Sequence, residues 1–209
     1  MAKASKVIPL GELSPSLAFG AAYFSVSSIG TRLTKITETY TEEGFNGQAS
    51  FFTRIPDSED RLEITIGVNS KDSKISLEIA GVAKTKLKAY LDEIAQKISN
   101  MLKRFSEASG TNLSHVSKAI VIERKLDEAL NLLFTDPDFQ KVYVIVADAR
   151  ERLIRLGGDF EPATLQMGAI LEPLVGRTGT IPKDVHEELA LNLLRWKKRI
   201  KQVVDTIIG

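Results

Sequence analysis

Arg61-Leu62-Glu63-Ile64-Thr65-Ile66-Gly67-Val68 and, beyond Asn69-Ser70-Lys71-Asp72-Ser73, the stretch Lys74-Ile75-Ser76-Leu77-Glu78-Ile79-Ala80 decide the fold. In both, branched apolar residues alternate with polar or small ones, the period of a strand with one buried and one wet face. The polar run between them has hairpin length. The pair predicts an antiparallel hairpin, 61–68 with 74–80. Upstream, weaker alternation predicts strands over 17–27, 31–40 and 46–54, punctuated by Ser28-Ile29-Gly30, by Thr41-Glu42-Glu43-Gly44 and by the turn Ile55-Pro56-Asp57-Ser58-Glu59-Asp60. Residues 1–80 therefore read as an antiparallel β-meander of about five strands.

At Gly81 the period changes. Leu87, Leu91, Ile94, Ile98, Met101 and Phe105 fall at alternating spacings of four and three, one stripe of a helix over 82–108 expected to pack on the sheet. Ala119, Ile122, Leu126, Ala129 and Leu133 mark a second helix. A third stripe, Phe139, Val142, Val146, Ala149, Leu153 and Leu156, lies between Asp136-Pro137, read as N-cap and first helical residue, and Gly157-Gly158. Against this, Lys141-Val142-Tyr143-Val144-Ile145-Val146-Ala147 and Ala119-Ile120-Val121-Ile122 are rich in strand-forming residues, so 118–123 and 141–147 stay open between helix and strand. A short fourth helix starts at Glu161-Pro162 and ends or kinks near Pro173; a fifth starts near Pro182. The fold class is α+β, with a sheet region (1–80) and a helical region of about five helices (81–209), compatible with one integrated domain.

Composition narrows the function without naming it. The 209 residues are 43% hydrophobic and 26% charged, with a net charge of +1, so no general electrostatic case exists for nucleic acid or anionic membranes. Residues 1–80 hold 8 basic and 10 acidic side chains, and 81–209 hold 20 and 17. Without cysteine there are no disulfides, thiolate metal sites or cysteine nucleophiles. Met1-Ala2-Lys3-Ala4-Ser5-Lys6 leads into Pro9, Glu12 and Pro15 rather than an apolar core, and no apolar run approaches a membrane span. The expected location is cytoplasmic.

Candidate chemistry is sparse. His115 and His186 lack partners at metal-ligand spacing. The carboxylate pairs Glu42-Glu43, Glu59-Asp60, Asp127-Glu128 and Glu187-Glu188 are sequence neighbours, which seldom converge across a cleft, and read as solvated charges. Gly176-Arg177-Thr178-Gly179-Thr180 lacks the Lys-Ser/Thr pair of a P-loop and reads as a flexible connection. No catalytic, cofactor or metal residues are assigned.

Two features of the last helix stand out. Arg195, Lys197, Lys198, Arg199 and Lys201 form a basic run able to meet phosphates, with Trp196 beside it for stacking. Leu189, Leu193, Trp196, Ile200, Val203 and Ile207 form a ladder suited to a partner helix or to the chain's own bundle. The stripe is widened by Leu194, Val204 and Ile208.

A meander followed by a long amphipathic helix, about residues 17–108, resembles the closing half of the helix-grip, or START-like, fold. The resemblance rests on element order, without the opening strand and helix pair. It implies a sheet curled round the helix and an apolar cavity, lined here by Phe19, Phe51, Leu91 or their neighbours. Three functions follow as expectations. The first is a non-catalytic interaction or assembly protein with a protein partner or self-association; its features are the apolar helix stripes and the Ser/Thr-rich stretch from Ser25 to Thr53. The others are an apolar small-molecule binder and a nucleic-acid-contacting protein using the last helix.

Overall fold

The computed structural model describes residues 2–42, 44–54, 61–81, 84–108 and 110–208. They fall into two compact units, Met1–Ala108 and Ser109–Gly209. The first consists of β1 (Ala2–Pro9), α1 (Pro15–Ser27), β2 (Arg32–Thr41), β3 (Gly44–Arg54), β4 (Arg61–Asn69), β5 (Lys74–Gly81) and α2 (Lys84–Glu107). The strands form one antiparallel sheet in the order β1-β5-β4-β3-β2, so a meander from β2 to β5 is closed at one edge by the N-terminal strand. The hairpin read from 61–80 is present, with Gly67 opposite Ser76 and Ile66 opposite Leu77.

The stretch 17–27, expected to be a strand, is helix α1, and the fifth strand is β1 instead. Ten consecutive residues of α1, Ala18 to Ser27, are buried, so no polar face records the helical period in the sequence. Local chemistry favours the helix all the same: Ser14 precedes Pro15 at the first turn, and three alanines follow. At the far end the hydroxyls of Ser28 and Thr31 donate to the carbonyls of Phe24 (2.6 Å) and Val26 (2.8 Å), adding to the backbone bonds these carbonyls accept from the amides of Ser28 and Ile29. A strand and a single helix thus do precede the meander.

Helix α1 packs on β3, β4 and β5, and α2 packs on β1, β5 and α1. Both cover the same face, where Phe51, Ile64, Ile66, Leu77 and Ile79 are buried. Tyr23 lies 5.2 Å from the ring of Phe51, and Phe19 lies 5.6 Å from Phe45. Lys6, also on this side of β1, reaches Asp92 of α2 at 2.7 Å. Gly47 lets the aromatic layer pass over β3. A β-carbon there would stand 2.7 Å from Phe45 Cζ and 3.0 Å from Phe19 Cδ1. Gly47→Val is expected to lower stability by about 1–3 kcal/mol through overpacking. Urea denaturation measures this, and an unchanged midpoint would mean that the rings move aside freely.

The second unit consists of α3 (Gly110–Thr135), α4 (Phe139–Leu156), α5 (Glu161–Leu171) and α6 (Lys183–Ile208), with short 3-10 turns at Gly158–Phe160 and Glu172–Leu174. Residues 118–123 and 141–147 are helical throughout. Helix α3 packs against α4 and α6, and α5 against α4 and α6. The N-cap of α4 is Asp138, two residues beyond the expected Asp136. Its Oδ1 accepts from the amides of Gln140 and Lys141, both at 3.0 Å. Gly157 and Gly158, with φ of +62° and +58°, end the helix in a conformation that disfavours other residues. Among the described residues no helix is long and apolar enough to cross a membrane.

Candidate functional site

With both helices of the first unit on one face of the sheet, the other face is open. Strand pairing lays its side chains out in rows. One row runs Val7, Ser76, Gly67, Gln48, Thr37, and its neighbour runs Ser5, Glu78, Thr65, Ser50, Lys35. The surface is polar, and its hydroxyls bond one another: Ser50 Oγ lies 3.2 Å from Thr65 Oγ1, and Ser76 Oγ donates to the Gly67 carbonyl at 3.1 Å. Gly67, with no side chain, leaves a shallow depression of about 730 Å³ bordered by Thr37, Gln48, Asn69, Lys74 and Ser76.

At one end of this face stands Phe52, on the outward side of β3 and half-buried. The guanidinium carbons of Arg32 and Arg61 both lie 5.9 Å from its ring centre, within cation–π range. Arg54, two residues along β3, is paired in register with Arg61. Among the described strand residues of the open face, Lys3, Arg32, Lys35, Arg54, Arg61 and Lys74 supply six cations against two carboxylates, Glu63 and Glu78, and Asp72 of the β4–β5 turn adds a third carboxylate beside the depression. Lys3 and Glu78 pair with each other at 2.7 Å, and that bond holds the Lys3 ammonium above its usual pKa.

The basic run of the last helix divides. Arg195, Lys198 and Arg199 are exposed. Lys197 is buried and Lys201 mostly so, and both turn towards α3. Lys197 bonds Asp127 and stands 3.9 Å from Glu123, while Lys201 reaches Glu123 at 3.2 Å. Burial holds the Lys201 ammonium below its usual pKa, with the Glu123 charge opposing that shift. The surface part of the run is therefore Arg195, Lys198 and Arg199. Asp127, read as solvated, is buried, and Glu123 beside it escaped notice. Their signal was a spacing of four on both helices, Glu123/Asp127 and Lys197/Lys201, at the border of each apolar stripe.

The ladder of α6 is mostly used within the second unit: Leu189, Leu193, Trp196, Ile200 and Val203 are buried and Ile207 is half-buried. Leu194, expected to widen the stripe, is 52% exposed, as is its neighbour Leu191 at 56%. In the first unit, Phe19, Phe51 and Leu91 are packed core residues. An opening of about 530 Å³ lies beside them between α2 and the sheet, bordered by Ile29, Thr53, Ile64, Tyr90 and Ile94.

His115 is exposed, and His186 is half-buried with Nε2 2.7 Å from the Leu133 carbonyl and its ring edge-on to Phe134. Among the described residues no three His, Asp or Glu side chains are grouped to hold a metal. Glu43, Glu59 and Asp60 lie outside the described residues. The Gly176–Thr180 connection is pinned to the start of α4: the Phe139 amide donates to the Gly179 carbonyl at 3.0 Å, and Arg177 lies over the Phe139 ring at 5.7 Å. The chain matches no protein-family model, no curated protein and no solved structure.

Proposed function

We propose that this protein is a non-catalytic interaction protein, and that it engages an anionic partner on the open face of its N-terminal sheet. The observation that carries the reading is the division of the sheet. One face is sealed by α1 and α2, while the other presents a shallow polar depression bordered by Lys35, Lys74 and Asp72, on a face where the described strand residues carry six cations and two carboxylates. A partner can there replace water at hydroxyl and amide side chains without any rearrangement of the core, and the charge imbalance steers anionic surfaces to it. The chain-wide charge of +1 shows that this imbalance is local rather than a property of the whole protein.

A photo-crosslinking amino acid placed at Gln48, in the centre of the face, tests the reading in the native host. Discrete adducts are expected from position 48 and not from Gln96, which is exposed on α2. Adducts that are absent at 48, or the same from both positions, would remove the open face as the site.

A further inference from the structure

Building on the open face as the site of interaction, we infer that its partner is a single-stranded nucleic acid, with Phe52 as the platform on which an unpaired base stacks. Three independent features converge on that chemistry. Phe52 is the aromatic residue of β3 at an outward position of the alternation: Phe45 and Phe51 face the core, whereas Phe52 faces out. An outward, half-buried aromatic ring on an antiparallel sheet offers a π-surface to a base. Second, Arg32 and Arg61 are held at the ring by cation–π contact, each 5.9 Å from its centre. They are thereby positioned to meet the phosphates on either side of a stacked nucleotide. Third, the depression over Gly67 lies on the same face, its border starting at Lys35 and Thr65 one outward row from Phe52, and is lined by Gln48, Asn69 and Thr37. Amide and hydroxyl side chains of this kind hydrogen-bond exposed base edges, which only an unpaired strand presents.

An acidic protein would satisfy the cations but would leave the ring and the amides unused. A duplex would meet phosphates at the rim while its stacked bases stayed out of reach of Phe52. The arrangement therefore selects a single strand over both. The exposed remnant of the α6 run, Arg195, Lys198 and Arg199, has no aromatic ring in the described contacts beside it and plays no part.

The test is fluorescence anisotropy of the full chain with labelled mixed-sequence single strands, DNA and RNA, from low to physiological salt. Binding is expected, with a slope of log affinity on log salt of about −0.7 for each phosphate neutralised. Phe52→Val keeps strand propensity and removes the ring; it is expected to weaken binding about 5- to 100-fold, and Phe52→Tyr to restore it. Arg32→Gln with Arg61→Gln is expected to flatten the salt slope by about 1.4. Changing Arg195, Lys198 and Arg199 to glutamine is expected to leave affinity unchanged. Circular dichroism melts of each variant separate lost binding from lost fold. No binding at low salt, tighter binding to duplex than to single strand, or indifference to Phe52→Val with an intact fold would overturn the inference. Retention of polyglutamate as strong as that of the oligonucleotides would reassign the face to an acidic protein. Protein adducts from the crosslinker at position 48, insensitive to nuclease, would leave the open face as an interaction site while removing nucleic acid as its partner.

Discussion

Replacing Lys197 with methionine lowers the stability of the second unit by about 3–5 kcal/mol, because it removes a cation from beside two buried carboxylates. Glu123 and Asp127 are almost inaccessible to solvent, and Lys197 touches both. A buried pair adds little net stability over a well-packed apolar pair, since desolvation consumes most of the Coulombic gain. Breaking one partner is different: the carboxylates keep their desolvation cost and lose the Lys197 attraction, with Lys201 still beside Glu123. Lys197→Met combined with Asp127→Leu is therefore expected to recover most of the loss. Lys201→Met is expected to be milder, because burial already works against that ammonium, and its removal relieves a cost as well as an attraction. The pH dependence follows from the same shift. With the folded-state pKa of Lys201 below its usual 10.5, the unfolded chain binds the proton more tightly in the interval between. Stability therefore gains from Lys201 as pH rises through that interval, and Lys201→Met abolishes the gain. By contrast, Arg195, Lys198 and Arg199 face solvent, and their conversion to glutamine is expected to change stability by about 0.5 kcal/mol or less. Urea denaturation of each variant measures these differences. A loss under about 1 kcal/mol for Lys197→Met would show that the carboxylates do not depend on it.

These residues also mark where sequence reasoning reached its limit. A run of five cations within seven positions reads as a surface feature, yet helical geometry splits it, turning Lys197 and Lys201 inward. Only the partner helix reveals the reason, and that pairing spans 70 residues of chain. The 61–80 hairpin and helix α2 were legible because each buries one face and keeps the other wet, which writes the period into the sequence. Helix α1 was not, because burial all round erases the period. Strand β1 was missed for a related reason: only Ile8 and the neighbouring Leu10 are buried near it, and its pairing with β5 joins residues far apart in sequence. The same holds for the open face. The outward parity of Phe52 follows from the alternation of β3, but its arginines come from β2 and β4 and meet it only through the register of the sheet.

Ending the chain after Gln202 is expected to destabilise the second unit by about 3–6 kcal/mol, from the loss of two buried valines at about 1.5–3 kcal/mol each. Val203 and Val204 are 8% and 0% exposed, while Ile207 and Ile208 are half-buried. The end of α6 is thus part of the unit's own core rather than a spare apolar surface. Helix ends fray, so the last two isoleucines contribute less than their size suggests, and the valines set the magnitude. The result also decides how far association uses this helix. Leu191 and Leu194 stay exposed on the truncated chain, so a contact through them survives removal of the last turns if the unit remains folded. Thermal melts and light scattering on both chain lengths separate the cases. A lower melting temperature at unchanged mass is the expected result and assigns Val203 and Val204 to the fold. A lower mass at unchanged melting temperature would assign the last turns to an interface between copies instead. Retention of both would mean that the helix end is dispensable and that the valines gain little from their burial.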